Sequence, residues 1–226
     1  MYFDISILKA YPLLISGAII TLSITAIGVV CGFLLSTILL AASLSRFKSI
    51  RLLARLYIDT FRSIPLVMVI LGFYLVMPKA LYYFFNITGD IRYQAAIITF
   101  VIFEAAYYAE ILRSGINAIS KNQIQAAKAL GFTFLQIFRL ILLPQAIRNS
   151  FPVLLTQSII LFQDVSLVYV IGLPDFFGMA VKIGARDGEI VESIIFASLV
   201  YLVVCFILQR FVNHLEKLYH PKAGHA

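Results

Sequence analysis

The sequence predicts an all-α, polytopic membrane protein with about five transmembrane helices. Three observations carry that prediction. Of 226 residues, 62% are hydrophobic and only 13% charged, about half of the roughly 25% charged share usual in soluble domains. No charged residue falls between Lys9 and Arg46, a run well beyond the ~20 residues that cross a ~30 Å hydrocarbon core. The basic residues are also distributed unevenly between alternate connecting segments, as membrane topology requires.

The first span covers about residues 13–44 and is rich in small and hydroxyl residues: Gly17, Ser23, Thr25, Gly28, Gly32 and Ser36. Such residues let helices approach closely in lipid, where association depends on packing rather than on expelling water. A cleavable leader would offer only ~7–15 apolar residues, so this helix is expected to be retained. The second span covers 63–85, with Pro65 suited to a first helical turn, where its missing N–H costs little. The third, 93–112, contains Glu104 and Glu110, each costing ~2.5–3.5 kcal/mol at a helix centre. It survives only if those carboxylates face protein, water or the membrane boundary. The fourth, 147–172, is interrupted by Gln163, Asp164 and Ser166, and the fifth, 193–208, lies between Glu192 and Arg210. No internal repeat or low-complexity linker divides the chain, which reads as one domain over 13–213 with a tail at 214–226. That tail holds His214, His220 and His225, while Cys31 and Cys205 fall inside predicted spans as packing residues. Neither set has metal-ligand spacing, so no metal site is expected.

If the N-terminus is outside, thirteen of the eighteen basic residues lie on inner segments: Arg46, Lys48, Arg51, Arg55, Arg62, Arg113, Lys121, Lys128, Arg139, Arg148, Arg210, Lys217 and Lys222. The remaining five are Lys9, Lys79, Arg92, Lys182 and Arg186. The excess predicts the N-terminus outside and the C-terminus in the cytoplasm. The net charge of +7 is therefore topological, and nucleic-acid binding is not expected. Basic residues beside membrane ends also suit contact with anionic membrane lipid.

Residues 120–144 form a polar stretch between membrane-like segments. Ser120 and Gln123 have capping-box spacing, good helix formers follow from Gln125 to Leu130, and Gly131 is placed to end that helix in the left-handed conformation. Thr133 and Gln136 repeat the box. Phe134, Ile137, Phe138 and Ile141 then occupy one helical face, and Pro144 is expected to end or kink the second helix. Capping and periodicity alone allow an ordinary amphipathic loop; a compact helix pair on the cytoplasmic side equally suits a partner's grip.

Gln125, Ala126, Ala127 and Gly131, followed after nine residues by Ile141, Leu143 and Pro144, resemble the signature loop of permease subunits in bacterial binding-protein-dependent ABC importers. At one position the chain departs: Gln125 stands where that family usually has Glu, which leaves hydrogen bonding but no charge. The resemblance extends over about residues 13–213. Phe61 to Leu66, Tyr108 to Ile116 and Leu143 to Ala146 are similar to polar amino-acid permeases. Phe103 to Tyr108, Phe162 to Asp164 and Ser166 to Val170 look most like glutamate/aspartate permeases. The resemblance implies a type I ABC importer transmembrane fold with a cytoplasmic coupling hairpin, in the bacterial inner membrane. It also implies that Gln125, Ala126, Ala127, Gly131 and Pro144 couple this chain to a separate ATPase dimer carrying ATP and Mg. A second permease, identical or paralogous, and an extracytoplasmic amino-acid-binding protein complete the implied assembly. The chain has no G-x-x-x-x-G-K-[ST] phosphate loop of its own and no arranged nucleophile and base, so it is not expected to be an enzyme or to hold a cofactor. The competing reading is a self-sufficient channel or secondary transporter.

Other polar residues are candidates for a substrate path: Arg62, Glu104, Tyr107, Tyr108, Gln163, Asp164 and Ser166. Glu104, Tyr107, Tyr108 and Ile111 share one helical face, and a carboxylate beside two phenols inside a span either lines a path or locks two helices together. Glu110 and Arg113 have pairing spacing, as do Asp59 and Arg62. Arg62 facing a cavity is the alternative, as is a gate or subunit bridge at Gln163, Asp164 and Ser166.

Overall fold

The structure, a computed structural model, describes Ile7, residues 10–86 and residues 89–219. Lys9, His220, Lys222 and His225 lie outside the described residues. The elements are α1 (Tyr11–Ser43), α2 (Lys48–Ser63), α3 (Leu66–Phe85), α4 (Arg92–Asn117), α5 (Lys121–Ala129), α6 (Phe134–Ile137), a π-helical turn (Phe138–Leu142), α7 (Leu143–Asp164), a 3-10 turn (Val165–Ile171), α8 (Phe176–Asp187) and α9 (Ile190–Tyr219). Among the described residues, five helical stretches are long and apolar enough to cross a membrane: Tyr11–Ser43, Leu66–Phe85, Arg92–Asn117, Phe134–Ile171 and Ile190–Lys217. They overlap the five expected spans. α9 extends past the expected boundary at 208 and into the expected tail as far as Tyr219. Charge at a span's edge limits how much helix hydrocarbon covers, not where its backbone hydrogen bonds stop.

The small residues of α1 form a buried stripe at spacings of three and four, including Gly17, Thr21, Gly28, Gly32 and Ser36. Its most extensive interface is with α4. A Cβ on Gly32 would lie 3.1 Å from the Glu104 Cβ, and one on Gly28 would meet a Leu161 methyl at 3.0 Å. Phe33 packs edge-on against Tyr108. Tyr93 donates to Ser23 and, farther along both helices, Glu104 meets Gly32, so α1 and α4 run parallel, while α7 returns antiparallel between Ser150 near Ile111 and Gln157 near Glu104. The hydroxyls of Thr21, Thr25, Ser36 and Ser43 bond to carbonyls one turn back, which satisfies them without water.

α4, the least convincing span by hydropathy because of its carboxylates, is the most enclosed: 61% of its apolar stretch is buried, against 11–39% for the other four. Its position between α1, α2, α3 and α7 explains how the carboxylates are tolerated. One apolar core joins Ile24, Ile70, Phe100, Leu161 and Val165. A second joins Leu40, Leu112, Ile116 and Ile119 to Ala127, Ile137, Phe138 and Leu142 of the hairpin. The hairpin is therefore packed directly onto the membrane bundle.

Residues 46–62, expected as a connecting loop, form α2 over Lys48–Ser63 instead. The overlooked signal is Ile50, Leu53, Ala54, Tyr57, Ile58 and Phe61, which recur at helical spacing. The break before α3 follows from Pro65. The preceding Ile64 is extended (φ −102°, ψ 135°), as the proline ring forbids the α region to its neighbour. Pro65 precedes the first residue of α3 rather than occupying its first turn.

Candidate coupling hairpin and intramembrane polar cluster

The hairpin is closed by local hydrogen bonds. At the end of α5, Phe132 N–H donates to Ala127 O (3.1 Å) and Gly131 N–H to Lys128 O (3.0 Å), the paired pattern of a Schellman stop. Gly131 has φ +81°, as its place in the sequence predicts. Thr133 and Gln136 form the full reciprocal capping box. The first box is only half made. Ser120 Oγ accepts from Asn122 N–H, whereas Gln123 Oε1 accepts from Gln145 Nε2 at 2.8 Å. That bond ties the start of α5 to α7, a long-range claim on Gln123 that local spacing does not reveal.

Pro144 does not end the second helix. It sits in the first turn of α7, and the chain stays helical from Phe134 to Asp164. The accommodation is the π turn before it, where Leu143 N–H reaches back five residues to Phe138 O. A proline in a regular α-helix collides with the carbonyl four residues earlier; inserting one extra residue into the turn shifts those carbonyls. The expected amphipathic face is present, with Ile137 and Phe138 buried, Ile141 half-buried and Phe134 stacked on Phe138. Ala127 is buried, while Gln125, Ala126, Gly131 and Pro144 are exposed. Leu130 and Leu135 are 76% and 68% exposed at the hairpin tip.

Within the bundle, Glu104 has no exposed surface, and both its carboxylate oxygens accept from Gln157 Nε2 at 3.2 Å. Tyr108 is buried and shares a 2.9 Å hydrogen bond with Ser158. Glu104 and Tyr108 therefore lock α4 to α7, and their α7 partners were not singled out in the sequence. The available signal was polar side chains at Gln157 and Ser158 within an apolar run. Tyr107 turns away, its ring tilted 34° against Phe103 and lying beneath the Arg62 guanidinium, whose carbon is 5.8 Å from the ring centroid. Tyr107 is within electrostatic range of Arg62, Glu104 and Asp164.

The expected Glu110–Arg113 pair forms. Arg62, however, does not pair with Asp59; it reaches Glu110 at 3.8 Å, because the end of α2 packs against α4. Gln163 and Ser166 stand apart from this cluster, lining a cavity of about 300 Å³ with Phe177, Ser198 and Tyr201. Thus Arg62 and Tyr107 come together, with Glu104 and Asp164 within electrostatic range of Tyr107; Tyr108 sits on the buried side of α4, and Gln163 and Ser166 face elsewhere.

The family described as the binding-protein-dependent transport system inner membrane component matches residues 28–220. The chain belongs to that family. The permease is 49% identical over 217 residues to the glutamate/aspartate import permease protein GltK of Escherichia coli O6:H1, covering 94% of this chain and 96% of that one. It is 34% identical to the arginine transport system permease protein ArtQ of Bacillus subtilis, over 87% and 88% of the two chains. Among solved structures, the permease matches a chain from the crystal structure of an amino acid ABC transporter with histidines. That match has a TM-score of 0.82 and 31% identity, covering 96% of this chain and 99% of the other. The all-α fold and the membrane-transport role thus rest on full-length likeness.

Proposed function

We propose that this permease imports acidic amino acids, glutamate or aspartate, across the bacterial inner membrane by ATP-driven alternating access. Its N-terminus lies outside and its C-terminus in the cytoplasm. Two permease subunits pair above a dimer of ATPase chains that bind ATP and Mg, and an extracytoplasmic amino-acid-binding protein delivers the substrate. The observation that carries the coupling mechanism is the hairpin: its tip exposes Leu130 and Leu135, while its inner face shares an apolar core with α4 and α1. A rigid protrusion rooted in the bundle transmits displacement; a loop on flexible tethers does not. Closure of the ATPases around ATP moves the hairpin and opens a translocation path between the paired permeases outward, and hydrolysis returns it. ATP drives this step only by binding the outward-open state more tightly than the inward-open one.

The acidic substrate class is supported by the 49% identity to the glutamate/aspartate permease. The groups around Tyr107 fit the chemistry, with Arg62 suited to a substrate carboxylate and Asp164 to its ammonium, while Glu104 is enclosed in the seam between α4 and α7. Copurification of the tagged permease should bring down the ATPase, and the reconstituted assembly should take up glutamate only with ATP and the binding protein present. Uptake by the permease alone, without nucleotide, would instead identify a self-sufficient channel or secondary transporter.

A further inference from the structure

α2 presents three separate faces. Ala54 and Ile58 are buried, and Tyr57 on that side donates to Ile102 O at 2.8 Å. Lys48, Arg51, Arg55 and Arg62 follow one another at intervals of three, four and seven residues, which lines them up on a second face. Leu52, Leu53 and Leu56 form a third, 63%, 66% and 59% exposed.

The cations have almost no protein partners. Among the described residues, no carboxylate lies within ion-pair distance of Arg46, Lys48, Arg51 or Arg55, whereas Arg62 reaches Glu110. Arg51 donates to Ser45 O at 3.3 Å, and Arg46 packs over the Phe47 ring. No acidic residue occurs between Arg46 and Asp59. The position of α2 is set by the preceding helix. With 33 residues and a rise of 1.5 Å each, α1 is about 50 Å long and has crossed the ~30 Å hydrocarbon layer before α2 begins. The start of α2 is thus at a membrane boundary. Water does not favour three neighbouring exposed leucines, and hydrocarbon does not tolerate three unpaired cations. Only the headgroup–acyl boundary satisfies both faces.

We propose that α2 is a binding site for anionic phospholipid. The headgroup phosphate lies on Lys48, Arg51 and Arg55, with guanidinium groups donating in pairs, and the acyl chain lies along Leu52, Leu53 and Leu56. The adjoining apolar face selects a lipid over a free anion, because a soluble carboxylate or phosphate would leave the leucines uncovered. The site requires only membrane insertion and is independent of the substrate transported.

The chain contains no tryptophan, so Leu53→Trp provides a single fluorescent reporter on this face. The full-length variant is reconstituted in vesicles of equal phosphatidylglycerol and phosphatidylcholine, with bromine quenchers on the chains of one lipid or the other. Brominated phosphatidylglycerol should quench about twofold more than brominated phosphatidylcholine, since each cation near an anionic surface favours association about fivefold and quenching saturates. Adding Lys48→Gln, Arg51→Gln and Arg55→Gln should abolish the preference, whereas Arg51→Lys with Arg55→Lys should keep most of it. Val203→Trp on α9, also exposed, should show no preference.

Equal quenching by both lipids in the parent variant overturns the proposal. So does an absence of quenching by either, which would place protein over the leucines. Loss of the preference on adding millimolar glutamate also overturns it, by assigning the cations to a soluble substrate. The parent and lysine variants keep the test decisive even if the triple glutamine variant does not fold.

Discussion

Glu104 keeps its place by hydrogen bonding rather than by an opposite charge. Gln157 supplies the amide that both oxygens share, and Gly32 leaves room for the side chain against α1. Gln157→Leu leaves the carboxyl group without its partner and should lower stability by about 1–3 kcal/mol, the cost of an unsatisfied buried polar group. Glu104→Gln, which still bonds to Gln157, should cost less than half as much. Thermal unfolding in detergent measures both, and equal losses would show that the amide is not what holds Glu104. Asp175 poses the opposite problem outside the spans. It is buried and caps α8 by accepting from Phe177 and Gly178. Burial nevertheless outweighs those amides and pushes its carboxyl up from 3.8 to about 6. Tyr201 lies within electrostatic range of it. Because the folded state binds this proton more tightly than the opened state does, the contribution is complete below about pH 4 and disappears as pH rises through about 6. It amounts to at most about 3 kcal/mol. The melting temperature should therefore fall between pH 4 and 7, and Asp175→Asn should flatten that slope; a variant with an unchanged slope would place the titration elsewhere.

The hairpin shows how much of an element is written locally. Thr133, Gln136 and Gly131 act through neighbours within a few residues, and each takes the role that its spacing predicts. Gln123 and Pro144 do not, because Gln145 and the π turn intervene. Nothing lies within 4 Å of a Cβ placed on Gly131, so substitution there acts through backbone strain alone. Gly131→Val should cost about 1–3 kcal/mol, as expected for a branched residue held at positive φ. It should weaken stimulation of ATP hydrolysis while leaving binding-protein affinity intact. Assays of ATPase activity and binding-protein association on the same reconstituted assembly test this; undiminished coupling would remove the hairpin from the transmission path. α2 illustrates a different limit. Its apolar periodicity is present in the sequence, but the five basic residues at 46–62 give the segment the charge of a connection between spans.

In the whole molecule, the polar residues divide between a locked seam and an open side. Glu104 and Tyr108 face α7, whereas Tyr107 and Arg62 meet on the side where α2 approaches α4. Arg62→Ala should reduce uptake of acidic substrates about tenfold relative to neutral ones, equivalent to about 1.4 kcal/mol of carboxylate binding. Competitive uptake assays measure the ratio, and equal losses for all substrates would assign Arg62 to its structural contact with Glu110. The sequence by itself determined the all-α class, the approximate spans and the stops of the hairpin, because hydrocarbon thickness and backbone hydrogen bonding act over short stretches of chain. Only the tertiary structure decided that Glu104 meets Gln157, that Arg62 turns to Glu110 rather than Asp59, and that Gln163 faces away from the cluster. Those outcomes depend on how closely α1, α2, α4 and α7 approach one another, and that distance is set by glycines and side chains far apart in the sequence.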